Sequence, residues 1–372
     1  MIYFDNAATS FPKPHEVLLS AEHIVRECGG NPGRSSHALA LRAAEVIYET
    51  RETFAQILGF PTPENIVFTM NATHALNIVI KGRLRHGDHV LIGNREHNAV
   101  LRPVAKVAKE RGVTYSVFDS MLSPDKALLP LIRPETRMLI INHVSNVSGE
   151  EADVAAYAAF ATKNGLFCVV DASQSLGHIP FSYPSINADA VCAPLHKGLL
   201  SIGGGGFLYL KNGSDVHTLI EGGSGTHSFD TEMPHELPDR FEAGTLPTLA
   251  IATAGAGLRF LSLRGIDSVA SHEALLTRAA IERLCEMRGI TVYAGRPFGG
   301  VFSFSHEKYT AEAIGTHLDR HGICVRTGFH CAPLAHKTLK TPKDGTVRLS
   351  FGYANTLDEV ELFYNALREL LY

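Results

Sequence analysis

Between residues 65 and 171 the chain alternates short β-branched runs with helix-length stretches: NIVFT then HALNIVIKGRL, HVLIG then NAVLRPVAKVAKERG, MLIINHV then EADVAAYAAFATKNG, closing on LFCVVD. This pattern predicts βα units around a mostly parallel central sheet, an α/β fold. Residues 151 to 163 illustrate the logic, because Val154, Tyr157, Ala158 and Ala161 fall on one helical face and Gly165 ends the helix where a left-handed conformation is tolerated. That helix should cover one face of the sheet. Beyond residue 256 the pattern changes to helical stretches (272 to 288, 311 to 321, 357 to 371) around the short strands VFSFS and TVRLSFG, which predicts a smaller α+β domain. The expected division is a large domain over 15–255 and a small one from 1–14 and 256–372, the first dozen residues, with SFPKP, joining the small domain or crossing to it.

Composition bounds the function. A 372-residue chain with 45% hydrophobic and 19% charged residues can bury a large core. A net charge of -4 with scattered basic residues offers no stripe for a phosphate backbone, so no nucleic-acid partner is expected. No run is apolar enough to cross a bilayer, and MIYFDNAATS, acidic at position 5, does not resemble a signal peptide, so no membrane association is expected. Six dispersed cysteines (28, 168, 192, 285, 324, 331) make no disulfide framework, and a reducing cytoplasm fits best.

In open parallel sheets ligands bind beyond the carboxyl ends of the strands. The residues there are polar and chemically apt: Asn71-Ala72-Thr73, Glu96-His97-Asn98, Ser145-Asn146, Asp171-Ala172-Ser173-Gln174 and His196-Lys197. Asp171 closes an apolar strand and either caps the next helix or faces a cation such as the pyridinium of pyridoxal 5'-phosphate (PLP). Lys197 lies between a strand ending in Pro194-Leu195 and the run Gly203 to Gly206. A lysine in an apolar, glycine-lined turn loses its charge readily and can bond to an aldehyde cofactor. Thr73 opens a helix, where it serves as an N-cap, as a phosphate ligand, or as both. No GK[ST] follows the glycines, so they are expected to form turn geometry and not a phosphate loop.

Taken in order, FDNAAT, EHNAV, HVSNVSG, DASQ, HKG, RFEAGT and VRTGFHC resemble the class V aminotransferase superfamily, and within it the cysteine desulfurases of the second group, from residue 3 to about 356. The resemblance implies a fold type I PLP-dependent transferase, homodimeric, with the site between subunits. It implies that Lys197 binds the cofactor covalently, Asp171 pairs with the pyridinium nitrogen, Gln174 bonds the ring hydroxyl and His97 stacks on the ring and moves protons. Phosphate contacts carry over to Ala72, Thr73, His196 and, from the other subunit, Thr245. Asn146 resembles the residue near the ring hydroxyl and substrate carboxylate, and Arg348 the arginine that clamps that carboxylate, although a strand arginine also suits a surface ion pair. In Arg326-Thr-Gly-Phe-His-Cys331, the neighbouring arginine and histidine would favour the nucleophilic thiolate of Cys331.

The implied reaction takes L-cysteine to L-alanine with a persulfide on Cys331 for a sulfur-acceptor protein; selenocysteine cleavage, or another class V lyase or aminotransferase reaction, is the alternative. A non-catalytic metal or sulfur carrier built on Cys324, His330, Cys331 and His336 would lack any standard zinc spacing, so no metal is expected. Three departures stand out: Pro194-Leu195 where the family has Ser-Gly, Phe329 where it commonly has histidine, and SIGGGG in place of a Gly-Pro turn. The first removes a hydroxyl and a backbone donor from the expected phosphate site.

Overall fold

The structure, a computed structural model, describes residues 1–33 and 35–371. Its centre is a seven-stranded sheet in the order Ile66–Thr69, Gly206–Leu210, Ala190–Pro194, Phe167–Asp171, Thr136–Asn142, His89–Gly93, Thr114–Phe118. Neighbours are parallel except around Gly206–Leu210, which runs antiparallel to both strands beside it. The mostly parallel α/β expectation therefore holds.

Side-chain alternation explains the unbroken apolar runs. Leu139, Ile141, Cys168 and Val170 enter one core, while Met138, Ile140 and Val169 enter another on the opposite face. With helices over both faces, a strand has no side left for polar residues. Helix Val154–Lys163 packs Val154, Tyr157, Ala158 and Ala161 into the first core. Helices Ala72–Arg83 and Asn98–Arg111 cover the second.

Three local expectations need correction. The helix expected from 151 starts at Val154, because the Asp153 carboxylate accepts from the Ala156 amide at 3.0 Å and Glu151 is paired with Val144 in a β-bridge. The helix expected over 272–288 runs Ile266–Cys285, set off from the preceding helix Thr248–Arg264 by Gly265 at φ 86°. Gly206 is not part of the glycine turn: it begins a strand, and a Cβ there would lie 2.4 Å from the Asn71 carbonyl carbon. Helices His15–Glu27, Ala38–Leu58 and Thr248–Arg264 and the edge strand Thr114–Phe118 were not among the elements predicted.

A second, antiparallel sheet has the order Arg326–Gly328, Thr346–Ser350, Val301–His306, Ile290–Tyr293. Its core includes Phe302, Phe304, Leu349 and Phe363. The N-terminal segment reaches both sheets. Ile2–Tyr3 pairs in parallel with Ile323–Cys324, and Phe4 is fully buried with its ring 4.9 Å from Phe351 and 6.3 Å from Phe363. Farther along, the Ala7 carbonyl accepts from Gln174 Nε2 at 2.9 Å.

Phe4→Ala removes a ring packed against two others and should destabilise the antiparallel-sheet core by about 3–5 kcal/mol. Guanidinium unfolding would show it as a fall in midpoint. An unchanged midpoint would mean that the N-terminal segment only decorates that core.

Candidate active site

The parallel strands empty onto one edge, where Asn142, Asp171 and Pro194 are the last residues of adjacent strands and line a pocket. Asn71, Ala72 and Thr73 form another wall. Close approach makes that wall possible, since a Cβ at Gly206 would also lie 2.7 Å from the Ala72 amide nitrogen. The cap of helix Ala72–Arg83 is Asn71, whose Oδ1 accepts from the His74 amide at 2.9 Å, so the N-cap reading of Thr73 is replaced. The amides of Ala72 and Thr73 open the helix with no earlier turn to accept from them, at the positive end of the helix dipole.

Lys197 and His196 sit across the pocket. The His196 carbonyl accepts from Thr9 Oγ1 at 3.2 Å, Ser10 Oγ at 3.1 Å, the Ser10 amide at 3.2 Å and Lys13 Nζ at 3.1 Å, so the N-terminal segment grips the turn just before Lys197. Burial pulls the Lys197 ammonium down to about 8, against the opposing pull of Asp171. Burial likewise pulls His97 and His196 down to about 4. His97 Nδ1 accepts from the Ala99 amide at 3.0 Å, which leaves the proton of the neutral ring on Nε2.

Asp171 is buried, and its Oδ1 accepts from the Ser173 amide at 3.0 Å. Beside it, burial and then Asp171 itself push the fully buried Glu96 carboxyl well above the usual range; Glu96 accepts from the Asn142 amide at 2.6 Å. Asn146 Nδ2 donates to the His330 carbonyl at 2.8 Å and Gln174 Nε2 is taken by Ala7. The side-chain oxygens of Asn142, Asn146 and Gln174 are buried without a partner on these pocket-lining residues. Such orphaned acceptors suit a ligand that donates hydrogen bonds.

Arg348 is almost wholly buried, with Nη2 2.6 Å from Asp5 Oδ1, Nη1 donating to the Asn146 carbonyl at 3.2 Å, and Nε unpartnered. It stands directly opposite Arg326 across two antiparallel strands. Arg326 Nη2 lies 3.9 Å from Cys331 Sγ. The exposed Cys331 occupies a left-handed turn with His330, φ 56° and 48°, and its carbonyl accepts from the Asn98 amide at 2.7 Å.

One expected contributor to Cys331 is absent. The His330 ring is buried, shares a 2.9 Å hydrogen bond with Thr346, and is pulled down to about 2 by burial and by Arg348. It is neutral, so Arg326 is the cation beside the thiol. Thr245 does not line the pocket of its own chain; its hydroxyl accepts from Asn31 Nδ2 at 3.3 Å. Among the described residues no group of three or more His, Cys, Asp and Glu side chains could hold a metal ion.

The sequence reading missed Asp5, Asn142 and Lys13. Asn142 obeys the strand-end rule and could have been found by it. Asp5 and Lys13 reach the site only through the path of the N-terminal segment, which no local pattern reveals.

Comparison with known proteins agrees with this fold. A probable cysteine desulfurase of Methanothermobacter thermautotrophicus is 34% identical over 384 residues, covering 99% of this chain and 94% of the relative. A cysteine desulfurase of Salmonella newport is 30% identical, covering 97% and 91%. The apo structure of a cysteine desulfurase from Thermococcus onnurineus superposes with a TM-score of 0.90 at 29% identity, covering 100% of this chain and 94% of that one. The sequence also matches the profile of the family described as Aminotransferase class-V over residues 2–363. On the match across nearly its whole length, the chain belongs to the class V aminotransferase family.

Proposed function

We propose that the chain is a PLP-dependent cysteine desulfurase, converting L-cysteine to L-alanine and carrying the sulfur away as a Cys331 persulfide. The observation that carries this reading is the coexistence of a lysine pocket with an exposed thiol on a turn hydrogen-bonded to Asn146 of the pocket wall and to Asn98, which lies between the wall residues His97 and Ala99. Full-length relatives named cysteine desulfurase support it.

The pocket suits PLP on its own chemistry. Lys197 can bond the aldehyde, Asp171 can face the pyridinium nitrogen, and the free oxygens of Gln174 and Asn146 can accept from the ring hydroxyl or a substrate amine. The His97 ring would cover the cofactor face. The Ala72 and Thr73 amides and His196 would hold the phosphate, joined by Thr245 from a second copy of the chain, since it contributes nothing to its own pocket. When bound, PLP would supply covalent attachment for the amino acid and an electron sink for charge released at its α-carbon.

The chain's own residues do the rest. Arg348, held at Nη2 by Asp5 and free at Nε, receives the substrate carboxylate, with Arg326 opposite as a second cation. Lys197 Nζ accepts the α-proton, and its lowered proton affinity leaves a useful fraction neutral near pH 7. The Cys331 thiolate, beside Arg326, attacks the substrate sulfur: an S–S bond forms, the C–S bond breaks, and protonation of the carbon skeleton gives alanine. The products are one alanine and one persulfide per cysteine, with no external oxidant or reductant.

The same reading makes the enzyme a homodimer that passes sulfur to an acceptor protein. It places residues 15–255 in a cofactor domain, with 1–14 and 256–372 in a second. Its cysteines are unpaired, and among the described residues no single helix is long and apolar enough to cross a membrane, which suits a cytoplasmic enzyme.

With PLP and L-cysteine, wild type should release alanine and persulfide sulfur and show a visible cofactor band. Lys197→Ala should lose the band; Cys331→Ser should keep it while losing persulfide by at least about a hundredfold, since no other nucleophile takes its place. A Cys331→Ser protein with wild-type persulfide output would overturn the assignment, and running L-selenocysteine alongside reports substrate preference. The rate of PLP attachment should rise about tenfold per pH unit below the Lys197 value and level off above it, because only the neutral amine attacks; stopped-flow absorbance reads this. Pro194→Ser restores a hydroxyl at the pocket wall, and equilibrium dialysis should show PLP held about tenfold or more tightly, the equivalent of about 1.5 kcal/mol for a hydrogen bond to a charged group.

A further inference from the structure

Outside the pocket lies a buried ion pair to which nothing above gives a task. His178 Nδ1 is 3.1 and 3.0 Å from the two carboxylate oxygens of Glu273, and both side chains are buried. The partners come from distant parts of the chain: His178 follows strand Phe167–Asp171, and Glu273 lies on helix Ile266–Cys285. Burial and the nearby Lys197 work against charge on the ring, yet the Glu273 carboxylate outweighs them and raises its proton affinity above the ordinary value, the direction that favours an imidazolium. A pair of this kind adds little net stability over an apolar pair of similar volume.

Its placement suggests another use. A Cβ built on Gly198, the residue after Lys197, would lie 2.7 Å from His178 Cδ2 and 3.0 Å from its Nε2, and a Cβ on Gly300 would lie 2.4 Å from Glu273 Oε2. The histidine is thus pressed against the Lys197 turn, with the carboxylate on its far ring nitrogen. His178 Nε2 has no hydrogen-bond partner. The pair presents its histidine to the Gly198 backbone, one residue from Lys197, and its carboxylate to the helix behind.

We propose that His178 and Glu273 form a positioning pair for the same reaction: a fixed cation behind the Gly198 backbone that favours the neutral form of the Lys197 amine. This rests on the reading of Lys197 as the residue that bonds the cofactor. The other groups acting on Lys197 are Asp171 and Asp5, which favour its charge, and Arg348 and Arg326, which oppose it. His97 and His196, also close by, are neutral near pH 7. Among the described residues, two further cations pack on the lysine turn: Lys13, whose Nζ donates to the His196 carbonyl at 3.1 Å, and His178, which lies behind Gly198; the arginines have substrate carboxylate and thiol to serve.

The test labels Lys197 in the full-length chain, cleared of bound carbonyl compounds with hydroxylamine, using formaldehyde and cyanoborohydride over a pH series. Mass spectrometry of the Lys197 peptide gives the labelling midpoint. The double variant His178→Gln/Glu273→Gln removes both charges and leaves no lone buried ion, which avoids the folding penalty of either single change. Its midpoint should move up by roughly half a pH unit, about a threefold slower labelling at neutral pH. His178→Lys, which returns a cation opposite Glu273, should keep the wild-type midpoint. A double variant that labels like wild type overturns the proposal, as does a His178→Lys protein that shifts as far as the double variant. Because labelling needs no cofactor, its outcome is separate from that of the desulfurase reading, which would fail instead on a wild type that develops no visible band with PLP.

Discussion

The ion pair of Arg348 with Asp5 is the contact through which the two sheets and the pocket share one geometry. Arg348 belongs to the antiparallel sheet, Asp5 to the N-terminal segment, and the other guanidinium arm ends on the Asn146 carbonyl at the pocket wall. A guanidinium this deeply buried is tolerable only with its partner in place, and removing one partner of such a pair typically costs about 3–5 kcal/mol. From Asp5 the chain continues through Ala7, bonded to Gln174, to Thr9, Ser10 and Lys13, which converge on the His196 carbonyl. One short segment thus holds both the Arg348 guanidinium and the turn that carries Lys197.

The site is organised by which groups stay charged. Burial neutralises His97, His196 and His330, and burial and Asp171 together push the Glu96 carboxyl well above its usual range. The positive charges at the site include the two arginines facing each other across paired strands, together with Lys197 and its neighbour Lys13. Two guanidinium groups against one Asp5 carboxylate leave an unbalanced positive charge behind Asn146 of the pocket wall, an electrostatic setting that attracts anions.

Much of this was legible in the sequence, and for a physical reason. The parallel sheet writes itself as unbroken apolar runs, and its strand ends are local in sequence, so Asn71, His97, Asn146, Asp171 and Lys197 could be gathered before any coordinates. Helix Thr248–Arg264 escaped because nearly all its faces are buried, which erases the amphipathic stripe that marks a surface helix. Strand Thr114–Phe118 escaped for the opposite reason: it is an edge strand, mostly solvent-facing, and lacks an apolar run. His330 was misjudged because adjacency to Cys331 in sequence says nothing about where its ring points, and the left-handed backbone at both residues turns it inward to Thr346. Asp5 and Glu273 were invisible because their partners lie 343 and 95 positions away in the sequence.

The parallel pairing of Ile2–Tyr3 with Ile323–Cys324 bears on how the molecule is made. Strand Ile2–Tyr3 leaves the ribosome long before its partner Ile323–Cys324, so it must wait unpaired while the residues between them are made, with Phe4 exposed to the nascent chain's surroundings. During that interval the central sheet can already close around Lys197, since every strand ending on the pocket precedes residue 211. A growing chain therefore passes through a stage that holds the lysine pocket but neither Arg348 nor Cys331, and the thiol meets the pocket only after this late segment has been made and has joined residues 2–3.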